Sequence, residues 1–166
     1  MIRLATIDDS VALATIHSEG WQAAYRHIFP PEALAYRSVE VREAEFREGF
    51  EEDAPETRIW VSERDGGVVG FAYTRPGADE DIPGGGELKL FYVAPALKGG
   101  GIGLELFEHA IGDLRARGYE PYLYTLKENH AARTWYERRG WRPDGATMPW
   151  SAEYPDILEV RYRPGD

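Results

Sequence analysis

The 166-residue chain contains no cysteine, which excludes disulfides, thiolate metal sites and a cysteine nucleophile. Histidine is scarce as well, and His17, His27, His109 and His130 are too scattered to form a metal-binding cluster with carboxylates. The sequence therefore predicts chemistry that needs neither a metal nor a thiol.

Long apolar runs and a surplus of basic residues are also missing. The N-terminus, Met1 to Leu4, has one basic residue and no long apolar run, so we expect no signal peptide, no membrane association and a cytoplasmic location. Lys and Arg number 19 against 29 Asp and Glu, which gives a net charge of −10. Such a surface repels nucleic acid phosphates and tolerates or attracts a cationic substrate.

Apolar and aromatic residues are plentiful: 43% of the chain is hydrophobic, with Trp 5, Tyr 10 and Phe 6. This composition predicts a single domain spanning residues 1–166. Hydrophobic periodicity and turn residues predict the order β-α-α-β-β-β-α-β-α-β-β, which indicates an α/β or α+β domain with a central sheet. Pro30-Pro31 is expected to stop the first helix.

A glycine-rich turn, Lys98 to Gly103, follows a strand at residues 87–93 and opens a helix. The start of a helix presents free amides and a positive dipole, and glycine lets a phosphate approach them closely, so the turn predicts a pyrophosphate cradle. It is neither a P-loop nor a dinucleotide fingerprint, because no Lys-Ser/Thr pair follows and Leu106 stands where the third glycine belongs. A surface turn without a ligand remains the alternative.

Two segments resemble the signatures of the GNAT acetyltransferase family. The turn, preceded by Val93-Ala94-Pro95, resembles Arg/Gln-x-x-Gly-x-Gly/Ala, with Lys98 at the Arg/Gln position and Gly100 where a basic or polar residue is common. The segment from Asn129 to Trp141 resembles Asn-x-x-Ala-x-x-x-Tyr-x-x-x-Gly-Phe, with every anchor present and Trp141 in place of Phe. The resemblance implies a mixed, mostly antiparallel central sheet with helices on both faces.

The resemblance also implies a reaction, the transfer of the acetyl group of acetyl-CoA to a primary amine of a small molecule or a protein. No metal is required. A non-catalytic acyl-CoA-binding module with the same fold is the alternative. The acceptor, the acyl-chain preference and the oligomeric state stay open, although the family is often dimeric and a homodimer is compatible with it.

By the same resemblance, the glycine turn binds the pyrophosphate of coenzyme A. The preceding strand is implied to carry a bulge and to splay from its neighbour, so that backbone at its end contacts the pantetheine arm and polarises the thioester carbonyl. The implied cofactor-binding positions are Phe91, Tyr92, Val93, Lys98, Gly99, Gly100, Gly101, Ile102, Gly103, Leu104, Asn129 and Ala132. Tyr136 is implied as the general acid that protonates the departing thiolate, with an ordinary half-buried aromatic as the alternative. Asn129 also suits the N-cap of its helix.

Glu87 is implied as the general base, acting directly or through water, although base identity varies across the family. Its alternative is a solvated charge at a sheet edge. Regular alternation predicts that Glu87, Lys89, Phe91 and Val93 share one face of their strand.

The wall of the acceptor cleft is the last part of the expected site. Trp21 and Tyr25 are i,i+4 neighbours in a segment that resembles a subgroup with the pattern His-x-x-x-Trp-x-x-x-Tyr-Arg. In that subgroup this helix borders the acceptor cleft, while core packing is the alternative role for either side chain.

Overall fold

The computed structural model of the chain describes residues 1–52 and 54–165. The described residues form seven strands and five helices, in the following order. They are β1 (Ile2–Leu4), α1 (Ser10–Tyr25), α2 (Pro31–Ala35), α3 (Val39–Glu51), β2 (Arg58–Arg64), β3 (Gly67–Pro76), β4 (Gly85–Val93), α4 (Ile102–Ala116), β5 (Glu120–Leu126), α5 (His130–Glu137), β6 (Trp141–Pro149) and β7 (Leu158–Pro164).

The order of elements matches the predicted order with one addition, the short helix α2. The first helix ends at Tyr25, before the two prolines, as expected. Pro31 then begins α2 instead of only ending a helix, because proline lacks an N–H that the first helical position would leave unbonded in any case.

The seven strands of the described chain form one sheet in the order β1-β2-β3-β4-β5-β7-β6. Only the β4–β5 pair is parallel. Helices α1 and α3 bury Leu13, Ala14 and Phe46 against one face, where Val61 and Phe71 meet them. Helices α4 and α5 cover the other face with a core that includes Leu106, Phe107, Leu114 and Tyr136. This architecture confirms the expected mixed sheet with helices on both faces.

Strand β4 separates from β5 halfway along its length. The two strands pair only from Gly85 to Leu88 on β4, and beyond this point β4 has only β3 beside it. Lys89 is an extra residue in the β3–β4 pairing, because Thr74 faces Leu88 whereas Tyr73 faces Leu90. The sheet therefore opens into a wedge between β4 and β5.

The bulge at Lys89 makes the predicted alternation along β4 wrong. Leu88 and Phe91 pack on the side of α4, whereas Leu90 and Tyr92 pack on the side of α1 and α3. A bulge shifts the alternation by one residue, so Glu87 shares a face with Leu90 and Tyr92 and not with Phe91.

The loop between β3 and β4 is fixed to the far end of the sheet by Arg161. This buried guanidinium contacts Asp79 at 2.6 Å, Asp81 at 2.5 Å and Asp144 at 2.7 Å. Burial alone would raise the pKa of Asp79, but hydrogen bonds from Tyr124 and Arg161 outweigh it and lower that pKa below its usual value. The network orders the edge of the wedge on the side of β7.

No helix in the described part of the chain is both long and apolar enough to cross a bilayer.

Candidate active site

Helix α1 crosses strand β4 at very short range because residue 20 is glycine. A Cβ atom at Gly20 would lie 2.7 Å from Cδ1 of Tyr92, so no larger residue fits without displacing the ring. The Tyr92 ring is itself confined, with its centroid 4.7 Å from that of His17 and 5.7 Å from that of Phe71. This crossing brings the last turn of α1 to the open edge of β4.

The glycine turn places a row of free amides at the start of α4. Gly99 and Gly101 have φ angles of 91° and 80°, which other residues rarely adopt, and Gly101 is the N-cap. The amides of residues 99–103 donate to no acceptor in the described parts of the chain. A Cβ on Gly99 or Gly101 would meet nothing within 4 Å, so the space in front of the turn is open. An anion with several oxygens, such as a pyrophosphate, fits this arrangement.

Helix α5 faces the turn across the wedge. The Asn129 side chain caps α5 by accepting a hydrogen bond of 3.1 Å from the amide of Ala132, which confirms the expected N-cap. Its Nδ2 donates to the hydroxyl of Tyr25 at 3.2 Å, so the same side chain joins α5 to α1. Asn129 therefore holds together two walls of the wedge.

A cavity of about 770 Å³ occupies the wedge, with β4, α1, the glycine turn and α5 around it. Most of the predicted site residues line it, namely Tyr25, Phe91, Tyr92, Val93, Lys98, Gly99, Gly101, Gly103, Leu104, Asn129, Ala132 and Tyr136. Four others are not among its lining residues: Trp21, Glu87, Gly100 and Ile102. Gly100 is exposed in the turn, whereas the Ile102 side chain is buried under it.

Tyr136 is held by aromatic packing in the wall of the cavity. Its ring lies beside Phe107, Trp135 and Tyr162 at centroid distances of 5.8, 5.4 and 6.0 Å. No hydrogen bond to its hydroxyl occurs among the residues that the structure describes. Burial, followed by the nearby Tyr25, raises the pKa of Tyr136 well above its usual value, so the phenol carries its proton at neutral pH.

Glu87 lies behind the point where β4 and β5 separate and is 4% exposed, so it is not a solvated edge charge. Its Oε2 is 2.8 Å from Nε of Arg75, and its Oε1 is 3.6 Å from Nζ of Lys89. Arg75 is its partner in the β3–β4 register, which fixes this ion pair. Both carboxylate oxygens of Glu87 thus have a cationic neighbour.

Trp21 lies behind the cavity in an aromatic cluster with Tyr25, Phe29, Trp150 and Tyr154. The guanidinium of Arg37 stands 5.3 Å from the centre of the Trp21 ring and 5.6 Å from that of Trp150. The cluster closes the space between the end of α1 and the connection from β6 to β7.

His17 is buried one turn before Trp21, with its Nδ1 lacking a partner in the described chain. Burial, followed by the charges of Arg42 and Arg37, lowers the pKa of His17 to about 2. The imidazole is therefore neutral across the physiological range and does not act there as a proton carrier.

Several residues that line the cavity were not predicted from the sequence. Gly20, Ala23 and Ala24 come from α1, while His130, Trp135 and Arg139 come from α5 and its end. Trp135 and Arg139 follow Ala132 by three and seven residues, so a helix places all three on one face. This spacing could have predicted both residues as part of the site. Arg139 stacks on Trp135 with its guanidinium carbon 3.5 Å from the ring centre, so the two form one wall.

Comparison with known sequences gives relatives for most of the chain. The sequence profile of the acetyltransferase (GNAT) family matches residues 18–141. The chain is 33% identical over 132 residues to a mycothiol acetyltransferase of Streptomyces avermitilis, which covers 79% of this chain and 40% of that protein. A mycothiol acetyltransferase of Streptomyces coelicolor is 31% identical over 71% of this chain and 36% of its own length. The chain thus spans about two fifths of the length of these curated relatives.

Solved structures share the fold over nearly the whole chain. The PaiA N-acetyltransferase of Thermoplasma acidophilum, crystallised with coenzyme A, has a TM-score of 0.78 and 17% identity, covering 98% of both chains. A ribosomal-protein-alanine N-acetyltransferase of Brucella melitensis has a TM-score of 0.71 and 27% identity, covering 98% of this chain and 96% of the other. Together with the matched family profile and the wedge between β4 and β5, these likenesses show that the chain belongs to the acetyltransferase (GNAT) family.

Proposed function

We propose that this protein transfers the acetyl group of acetyl-CoA to a primary amine. The observation that carries the proposal is the cavity in the wedge, which has the glycine turn with its free amides at residues 99–103 and Tyr136 among its lining residues. A coenzyme with a pyrophosphate and a long thin arm suits these two features. Acetyl-CoA supplies the activated acetyl group as co-substrate.

Each group of residues around the cavity has its own role, set by its position. The amides of the glycine turn hold the pyrophosphate, with Lys98 adjacent as a positive charge. No strand among the described residues lies on the outer side of the backbone from Lys89 to Val93, so this backbone can bond the arm as a further strand would. Tyr136 keeps its proton until a thiolate leaves, and then donates it. Glu87 is the base predicted from the sequence, but both of its carboxylate oxygens have a cationic neighbour.

The proposal specifies the acceptor only by its chemical class, a primary amine. One group of relatives bears the name mycothiol acetyltransferase and a solved structure the name ribosomal-protein-alanine N-acetyltransferase, so the names point to different amines. The net charge of −10 favours a cationic acceptor, which a protonated primary amine is. A screen with spermidine, tyramine, lysine and a peptide with N-terminal alanine covers the chemical range.

Two finer expectations belong to the same proposal. We expect a cytoplasmic location, where acetyl-CoA is available, and we expect homodimer formation to be compatible with the exposed edges of the sheet. Cell fractionation tests the first expectation, and light scattering of the purified chain tests the second.

Titration calorimetry with acetyl-CoA is the first experiment, on wild-type protein, Tyr136→Phe and Gly101→Glu. Wild-type and Tyr136→Phe should bind equally, whereas Gly101→Glu should bind at least about 100-fold more weakly, because a carboxylate then occupies the anion cradle. Gly118→Glu is the matched control: Gly118 has a φ of 84° against 80° for Gly101, with open space at both, but lies at the other end of α4. Equal losses in both variants would indicate backbone strain and contradict the cradle.

Turnover separates the enzyme from a non-catalytic acyl-CoA-binding module. Wild-type protein should acetylate at least one amine of the panel, detected by mass spectrometry, and Tyr136→Phe should lower kcat by about 100-fold. Tight binding of acetyl-CoA with no acetylated product from any amine would favour the binding module.

A further inference from the structure

The face of the sheet opposite α4 and α5 is covered by different elements along its width. Helices α1 and α3 pack over β2, β3 and the end of β4, and Trp21 and Tyr25 of α1 share a packed cluster with Leu126 at the end of β5. In β7, Val160 and Tyr162 face the core under α4 and α5. Because side chains alternate along a strand, Glu159 and Arg161 lie on the opposite face.

Glu159 on this face has no partner within the described chain. It is half-buried, yet it forms no ion pair or side-chain hydrogen bond with any residue that the structure describes. Arg161, the next residue on the same face, is surrounded by three carboxylates, and Glu87 is paired with Arg75 and Lys89. The Glu159 carboxylate is therefore free to bind a donor from outside the described chain.

The surroundings of Glu159 connect it with the cavity. Its register partners are Leu126 on β5 and Met148 on β6, both apolar. Leu126 belongs to the aromatic cluster with Tyr25 and ends the strand three residues before Asn129. Glu159 is not itself among the lining residues of the cavity, but its register partner Leu126 shares a packed cluster with Tyr25, which lines the cavity.

The charges that act on Glu159 come from two residues of β4. Burial raises the pKa of its carboxyl, Lys89 of β4 lowers it, and Glu87 of β4 raises it again, with a net rise. The charge of Glu159 in turn contributes to the raised pKa of Tyr25 on α1, although burial is the main cause there. A carboxyl with a raised pKa is a stronger base than an ordinary one and is better matched to proton abstraction.

We propose that Glu159 is the general base of the acetyl transfer, a role that rests on the proposed function. The Glu159 carboxylate takes one proton from the acceptor ammonium, directly or through one water. The freed nitrogen lone pair then forms the C–N bond at the thioester carbonyl carbon while the C–S bond breaks. As the amide forms, the nitrogen loses its second proton to solvent, and Tyr136 protonates the departing sulfur and regains its proton from solvent. Glu159 then gives its proton to solvent, so that the reaction releases one proton in total. Glu87, held by Arg75 and Lys89, acts through its charge and not as the proton acceptor.

The test is the pH dependence of kcat for the full chain, with the amine of the panel that wild-type protein acetylates at saturating concentration. Glu159→Gln should lower kcat by about 100-fold and remove the decline of kcat on the acidic side, because no carboxylate is left to be protonated. Glu159→Asp should keep that decline with a smaller loss. Glu87→Gln should also keep it. Glu153→Gln, an exposed charge in the β6–β7 connection, is the matched control and should behave as wild-type protein.

Binding of acetyl-CoA, measured for each variant, distinguishes a lost base from a lost fold. The affinity of Glu159→Gln for acetyl-CoA should be within about twofold of that of wild-type protein. If that variant does not fold, the pH dependence of kcat for Glu159→Asp tests the proposal in its place. Wild-type kinetics in Glu159→Gln, or loss of the acidic decline in Glu87→Gln instead, overturns the proposal while acetyl transfer itself stands. A wild-type protein that binds acetyl-CoA but acetylates no amine overturns the proposed function, and this role of Glu159 with it.

Discussion

Replacing Gly20 by alanine tests whether the close crossing of α1 over β4 shapes the cavity. The new Cβ would lie 2.7 Å from Cδ1 and 3.3 Å from Cε1 of Tyr92, well inside the contact distance of carbon atoms. The ring cannot turn away freely, because His17 and Phe71 pack against it. Either the helix or the ring must therefore move.

Two opposing contributions set the size of the effect. Overpacking a filled core costs about 1–3 kcal/mol. Alanine within a helix gains about 0.5–1 kcal/mol over glycine, chiefly because the unfolded chain loses conformational freedom. Gly112 offers the matched control, since it lies inside α4 and a Cβ there would meet nothing within 4 Å. The helix contribution cancels between the variants, so Gly20→Ala should be about 1–3 kcal/mol less stable than Gly112→Ala.

Urea unfolding of both variants measures this difference, and calorimetry with acetyl-CoA measures its consequence. Tyr92 lines the cavity, so Gly20→Ala should also weaken acetyl-CoA binding, whereas Gly112→Ala should bind as wild-type protein does. Equal free energies of unfolding for the two variants would show that the crossing tolerates a methyl group and would refute the argument.

Two further predictions concern buried charge. Arg161→Met should lower the free energy of unfolding by about 3–5 kcal/mol, because Asp79 and Asp144 lose their buried partner. The wild-type protein should lose the contribution of Asp79 as pH falls below about 4, and an acid titration of the variant should show a smaller loss. His17 has a pKa of about 2 when folded and about 6.5 when unfolded, so protonation of the unfolded chain should remove about 2 kcal/mol of stability between pH 6.5 and pH 5. Urea unfolding across this range should show a flatter dependence for His17→Gln, and an equal slope would contradict the neutral buried imidazole.

The parts of the fold and site that could be predicted from sequence are those set by local backbone chemistry. The glycine turn, the Asn129 cap and the helix that carries Tyr136 each follow from a few adjacent residues, and the structure has them in the expected places. Gly20 and Trp135 were not predicted as part of the cavity wall. Their positions depend on which elements pack together, and one helix read alone does not contain that information.

The choice of base shows most clearly where sequence reasoning ends. The family resemblance implies a bulge in this strand, but the pattern Glu-Leu-Lys-Leu-Phe-Tyr-Val alternates without interruption. Nothing in it indicates that the bulge lies at Lys89 and that Glu87 therefore faces away from Phe91. A carboxylate is available as a base only if no cation holds it, and the cations come from other strands. Arg75 reaches Glu87 through the β3–β4 register, whereas the register of β7 places apolar Leu126 and Met148 opposite Glu159. Both glutamates look alike in the sequence, and only the pairing of strands distinguishes the one that is neutralised from the one that is free to take a proton.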